Sequence, residues 1–296
     1  MHEIEGVFNL LKPPGLSSND LVTDVKRLFS AKSVGHLGTL DPGAAGVLPV
    51  TMGRATKLFD YLVDKEKEYI AEISFGQETD TQDALGAVIA SAPCHITTEQ
   101  VKNILPQFRG SIEQTAPMYS ALKHQGQKLY DLALKGEHIE KIRAVSISEL
   151  EYLEETGENR HLIRATTSRG TYIRTLCRDI GAAFNVPAHM SFLLRTRSGP
   201  FTLSGAITFP ELQTAFSNGT HIQHLHSCEE TLSFLPRIDL PADRLIPTKN
   251  GLSTHIATPS LHSGLCLLHS SNTFLGIGEI KGTTVKLKVH LYATNA

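Results

Sequence analysis

Twelve consecutive residues, Gly35 to Gly46 (GHLGTLDPGAAG), hold four glycines, one proline and a single acid, Asp41. Glycine tolerates positive φ and proline lacks a backbone donor, so this composition works against regular structure. Residues 33–50 are therefore expected to be mainly loop. Pro42 restricts Asp41 to extended geometry. A carboxylate held in this way can act as nucleophile or base when a nearby cation keeps it ionised. Asp-Pro-Gly is equally favoured turn chemistry, so the twelve residues alone leave turn and catalytic loop side by side. A mononucleotide loop is disfavoured, because no Gly-Lys-Ser/Thr follows.

The flanks are more regular. The apolar run 7–11 reads as a strand ending at Lys12-Pro13-Pro14-Gly15. Ser17 or Ser18 can cap a helix over about 19–30, with Leu21, Val22, Val25, Leu28 and Phe29 at helical spacing. Lys67 to Phe75 alternates as a strand does. A helix is expected from Thr97 or Thr98 to about 108, and paired strands at 143–153 and 161–167. Thr171 to Phe184 looks helical, while 201–235 carries little pattern. After Leu235-Pro236 come short apolar runs broken by Gly, Ser, Asn and Pro, which suit a small all-β unit. The expected division is 1–236 and 237–296.

Apolar residues make up 41% of the 296, enough for a sizeable core. No apolar run reaches the roughly 20 residues of a membrane span, and no secretion signal is read at the start, so a cytoplasmic protein without a membrane partner is expected. The four cysteines are scattered and form no C-x-x-C pair, as for free thiols in a reducing compartment. The net charge of −2 announces no nucleic-acid partner. Its distribution is more informative: between Arg160 and Pro200 stand Arg160, Arg164, Arg169, Arg174, Arg178, Arg195 and Arg197, with Asp179 as the only acid. Arginine forks suit phosphates and stack on bases, although a solvated face is the plainer account. His221, His224, His226 and Cys228 fit no standard zinc spacing, and Asp80 with Asp83 make a weak magnesium candidate.

The loop Gly35–Gly46, followed by Val47-Leu48-Pro49, resembles the signature of the TruB family, the bacterial tRNA pseudouridine-55 synthases. Further motifs agree. They are Lys12-Pro13-Pro14-Gly15 with Ser17-Ser18, Gly53-Arg54-Ala55-Thr56-Lys57, Lys67-Glu68-Tyr69, Gly76 to Gly86 (GQETDTQDALG), Pro117 to Lys123 (PMYSALK) with Gly126 and Leu129-Tyr130, and Ser168 to Arg174 (SRGTYIR). The resemblance spans residues 7–200 almost without a break. Leu11, Ala116 and Leu134 depart from it, where an acid, a proline and an arginine are common.

The resemblance implies an α+β fold built on a mixed, mostly antiparallel pseudouridine-synthase sheet flanked by helices. A small C-terminal β domain, PUA-like and RNA-binding, would follow. It implies isomerisation of uridine to pseudouridine at position 55 in the T-loop of tRNA, after the base is flipped out of its stack. No cofactor, no metal and no protein partner is required; the partner is the tRNA T-stem-loop. Asp41 would be the nucleophile, attacking base or sugar, and Arg174 would keep it ionised. Tyr69 would stack on the flipped base and could also take the C5 proton, its blander account being a strand aromatic in the core. Tyr172 and Arg174, two apart, would share one face of a strand, with the helix starting after them. His36, Lys57 and Leu194 would contact RNA or wall the pocket. His36 and Leu194 each have a blander account, a loop histidine and a core leucine. The rival from another class is an RNA-binding chaperone without catalysis.

Overall fold

A computed structural model of the protein describes residues 4–120, 122–133, 135–137, 139–256 and 263–292. Eight strands carry the main sheet: β1 (Gly6–Lys12), β2 (Val34–His36), β3 (Ala45–Met52), β4 (Lys67–Phe75), β5 (Gly110–Thr115), β6 (Ile142–Gly157), β7 (Arg160–Thr167) and β8 (Ala188–Ser198). Helices that pack on its core include α1 (Ser18–Leu28), α2 (Thr98–Ile104) and α3 (Ile173–Ala183). The strand order is β1-β3-β8-β4-β7-β6-β5, with β2 on β3 and short strands at Phe201–Thr202, Ile207–Thr208 and Leu225–His226 completing eleven. Pairing is antiparallel except for β3 with β8 and β1 with Ile207–Thr208. The fold is thus α+β on a mixed, mostly antiparallel sheet.

Sequence chemistry accounts for the elements. Ser17 and Asp20 form a reciprocal capping box that starts α1, whose Leu21 and Val25 are buried. In β4, Lys67, Tyr69, Ala71, Ile73 and Phe75 point inward, while Glu68, Ile70, Glu72 and Ser74 point to the more open face. Helix α3 covers the inward face with Ile173, Leu176 and Ile180. At roughly 1.5–3 kcal/mol for each buried aliphatic side chain, these three hold the helix with about 5–9 kcal/mol.

Two expectations need correction. Residues 45–52 are not loop but a buried strand between β1 and β8, Val34–His36 is a short strand paired with it, and the irregular stretch is 37–44 between them. Helix α3 starts at Ile173, so Arg174 lies in its first turn, while Tyr172 is its extended N-cap at φ −98°, ψ 111°. The two side chains therefore do not share a strand face.

The weakly patterned stretch 201–235 wraps β1. Ile207 and Thr208 pair with Leu10 and Leu11, and Leu225 and His226 pair with Phe8 and Val7. His221 packs on the rings of Phe29 and Phe216 at 5.4 and 5.2 Å. Among the described residues no group of three or more His, Cys, Asp or Glu is placed to hold a metal ion, and no helix is long and apolar enough to cross a membrane.

A separate five-stranded sheet follows, formed by Arg237–Leu240, Thr254–His255, Ser263–Ser270, Thr273–Lys281 and Thr284–His290. Its own core includes Leu240, Cys266, Leu268, Leu275, Ile280 and Val285. Leu267, Ile277 and Leu291 instead pack with Val7, Leu37, Val47 and Leu58 of the main body.

Candidate active site

The loop before β3 is held from beneath by two buried cations. Arg195 is fully buried in β8 and donates from Nε to the Val47 carbonyl (2.7 Å), from Nη1 to that of Thr39 (3.2 Å) and from Nη2 to that of Gly38 (3.0 Å). Lys12, also fully buried, donates to the carbonyls of Pro13 (2.8 Å), Leu16 (2.7 Å) and Pro42 (3.3 Å). Burial pushes the Lys12 ammonium down to about 8, even though Asp41 pulls it up. The Ser18 hydroxyl accepts from the Leu40 amide and donates to its carbonyl. Gly46 closes the loop at φ +123°, and a Cβ there would collide with the Arg195 backbone. Only glycine allows β3 to run this close to β8.

On this platform Asp41 remains one-third exposed (34%) and meets Arg174, which is 4% exposed. Arg174 Nε lies 2.9 Å from Oδ2, out of line for a hydrogen bond, and Nη2 donates to Oδ1 at 3.4 Å. The remaining donors bind the backbone: Nη1 to the Thr81 carbonyl (2.9 Å) and Nη2 to that of Tyr119 (3.0 Å), with the Asp83 carboxylate 3.8 Å from Nη1. A guanidinium so fully engaged cannot swing away from the carboxylate without breaking several contacts at once.

Asp41 and Arg174 border a cavity of about 280 Å³ that opens to solvent. Tyr69, Leu193 and Arg195 line it from the sheet, Tyr172 and Ile173 from the start of α3, and Phe59 and Arg169 from more exposed positions. Tyr69 is 8% exposed, so one part of its ring surface faces the cavity. Tyr172 is fixed through its backbone, which donates to Gln114 Oε1 (3.0 Å) and accepts from Gln114 Nε2 (3.2 Å). Lys67 also lines the cavity and donates to the carbonyls of Val63 and Lys65. Burial, then the nearby Arg195 charge, pushes Lys67 down to about 8.

Four expected residues thus converge: Asp41, Tyr69, Tyr172 and Arg174. Three do not line the cavity. His36 sits in β2 opposite Val50, and burial followed by the Arg195 charge lowers its pKa. Lys57 reaches the C-terminal sheet, with Nζ 3.4 Å from the His290 carbonyl. Leu194 points to the opposite face of β8, while its neighbour Leu193 walls the cavity. From sequence, Lys12 and Lys67 are named as motif residues and Arg195 as one of the arginine group, without a role in the site, and Leu193 is not named; the alternation of β8 is the signal that separates Leu193 and Arg195 from Leu194. The arginines of 160–200 do not form one face either. Arg174 and Arg195 are buried, and Arg164 and Arg178 pair with Glu151 and Asp179. Of the departures, Ala116 is buried and Leu134 lies outside the described residues, as does Ala121.

The model of the TruB family pseudouridylate synthase N-terminal domain matches residues 26–173, and that of the tRNA pseudouridylate synthase B C-terminal domain matches 174–245. This chain belongs to the TruB family. It is a pseudouridine-forming isomerase. Similar curated proteins named tRNA pseudouridine synthase B include one from Symbiobacterium thermophilum, 50% identical over 71% of this chain and 72% of the relative. Another, from Aromatoleum aromaticum, is 40% identical over 99% and 94%. The fold is shared with solved RNP structures. One is an H/ACA RNP bound to a substrate RNA containing 2'-deoxyuridine (TM-score 0.75, 23% identity, 98% of this chain and 86% of that one). Another is an archaeal box H/ACA sRNP Nop10-Cbf5 complex (TM-score 0.75, 24% identity, 99% and 88%). The Asp41–Arg174 pair joins the parts matched by the two family models.

Proposed function

We propose that this TruB-family enzyme isomerises the uridine at position 55 in the T-loop of tRNA, with Asp41 as nucleophile. The observation that carries the reading is the Asp41 carboxylate, ion-paired to buried Arg174 at the edge of a cavity lined by Tyr69. A stacked uridine cannot enter such a cavity, so the base must flip, at a few kcal/mol of lost stacking. Tyr69 offers the flipped base an aromatic surface that recovers part of this. Leu193 supplies the apolar wall, a role the geometry favours over Leu194. Tyr172 borders the ribose side. Asp41 bonds to the base or the sugar and the N1 glycosidic bond breaks. The base turns, C5 bonds to C1′ of the sugar, and the bond to Asp41 is released; the C5 hydrogen leaves as a proton and N1 takes one up. Arg174, 2.9 Å away, aims the Asp41 carboxylate for attack and receives it again on release.

The relatives' names support tRNA as the substrate. In this reading the chain acts without a protein partner in the cytoplasm. His36 and Lys57 contact RNA outside the cavity. Residues 237–296 form a PUA-like second domain that grips the acceptor side of the tRNA, separate from the catalytic domain 1–236.

The test is tritium release from a tRNA transcript labelled at uridine C5, by wild type and Asp41→Asn. One equivalent released per tRNA by wild type, and none by Asp41→Asn with affinity kept within about tenfold, is the expected result. Equal release by the variant would remove Asp41 from the chemistry. No release by wild type despite tight binding would favour an RNA chaperone.

A further inference from the structure

Four cations line the cavity among the described residues: Lys67, Arg169, Arg174 and Arg195. Three are buried, with N–H groups already engaged. Lys67 and Arg195 bind backbone carbonyls, and Arg174 binds carbonyls and Asp41. Arg169 differs. Its side chain is half exposed (50%), it sits over the Phe59 ring at 5.9 Å, and its polar contact is Nη1 to Asp64 Oδ1 at 2.9 Å. Asp64 is itself 66% exposed. A guanidinium has five donors, so this single contact leaves most of the fork available.

A nucleotide whose base enters the cavity leaves its ribose and flanking phosphates at the rim. Arg174 and Arg195 cannot reach a phosphate there without abandoning the catalytic loop. We propose that Arg169 binds a backbone phosphate flanking the flipped uridine, and that Asp64 is a carboxylate place-holder that the phosphate displaces. The inference rests on the RNA-modifying reading above. It adds a phosphate subsite and an acid that competes with the substrate for it. Exchange is feasible because an exposed ion pair is weak, while a phosphate presents oxygens that suit the bidentate fork. Phe59 under the guanidinium keeps the fork at the rim after Asp64 lets go.

The two partners should therefore respond in opposite directions. Affinity for an unmodified tRNA transcript would be measured from 50 to 200 mM KCl for wild type, Arg169→Gln, Asp64→Asn and the double variant. Arg169→Gln is expected to weaken binding and to flatten the log–log salt slope by about 0.7–0.9, the share of one phosphate contact. Asp64→Asn is expected to tighten binding by up to about fivefold, the worth of an exposed pair. In the Arg169→Gln background that gain should vanish, because Asp64 acts through Arg169. An unchanged slope in Arg169→Gln, or a gain from Asp64→Asn that persists without Arg169, overturns the proposal; the second result would mean general repulsion of RNA by Asp64. Wild type that neither binds tRNA with a salt-dependent affinity nor releases tritium would instead sink the RNA-modifying reading itself.

Discussion

Replacing Arg195 by methionine is expected to weaken the fold and silence the site together. Methionine fills similar space but carries no donor, so the carbonyls of Gly38, Thr39 and Val47 lose their partner. Each buried acceptor left unmet costs about 1–3 kcal/mol, or roughly 3–9 kcal/mol for three. Removing the guanidinium also returns the several kcal/mol spent in burying a charge, which no carboxylate offsets among the contacts described. With about 3 kcal/mol returned against a mid-range cost of about 6, the remainder is about 3 kcal/mol of lost stability. In urea unfolding with a slope of about 3 kcal/mol/M, the midpoint should fall by about 1 M. The same loop carries Asp41, and misplacement by about 1 Å can cost a hundredfold in rate. Tritium release should therefore drop about 100-fold in the variant, measured well below its unfolding midpoint. Arg195→Lys should recover only part of both losses, since one ammonium cannot span three carbonyls as a planar fork does. A midpoint within about 0.2 M of wild type, or wild-type turnover in Arg195→Met, would show that the loop does not lean on this arginine.

Three further outcomes follow from the geometry. Leu193→Ala should lower kcat/KM for tRNA at least tenfold while Leu194→Ala changes it less than about threefold; the reverse order in tritium-release kinetics would put Leu194 back in the pocket. Tyr69→Phe should bind tRNA normally by filter binding but turn over more slowly, and full wild-type turnover would reduce the Tyr69 hydroxyl to a bystander. The folded-state pKa of Lys67 is near 8 against an ordinary 10.5, so between these values the unfolded chain holds a proton that the folded chain does not. Stability should rise with pH through that window, and by less in Lys67→Met; identical pH profiles from urea unfolding would refute the assignment.

Most of the secondary structure was legible because it carries a period. The alternation of 67–75, the capped helix at Ser17 and the paired strands 143–153 and 161–167 all expose one face and bury the other. The strand Ala45–Met52 was not legible. From Gly46 to Met52 it is buried on both faces and so shows no alternation. Its Pro49 reads as a breaker, yet it pairs opposite Asn9 and its carbonyl accepts from the Leu37 amide. Motifs pointed to Asp41, Tyr69, Tyr172 and Arg174, and these four do border one cavity. The support of the site was not legible. Lys12, Lys67 and Arg195 look like surface residues on the strength of their charge; only the structure brings carbonyls from distant segments around them. Nor does sequence alone reveal that Asp64 faces Arg169, 105 positions away.

The grip of Arg174 has one more consequence. It draws together Asp41, the turn at Thr81 and the backbone at Tyr119, segments far apart in the chain and brought in by separate parts of the fold. The enzyme is therefore assembled and armed in a single act. A nascent chain that has not yet supplied residue 174 carries Asp41 without its cation, on a loop whose side-chain anchors are Lys12 and Ser18. With Asp41 as the proposed nucleophile, such partly made copies would touch RNA without altering it.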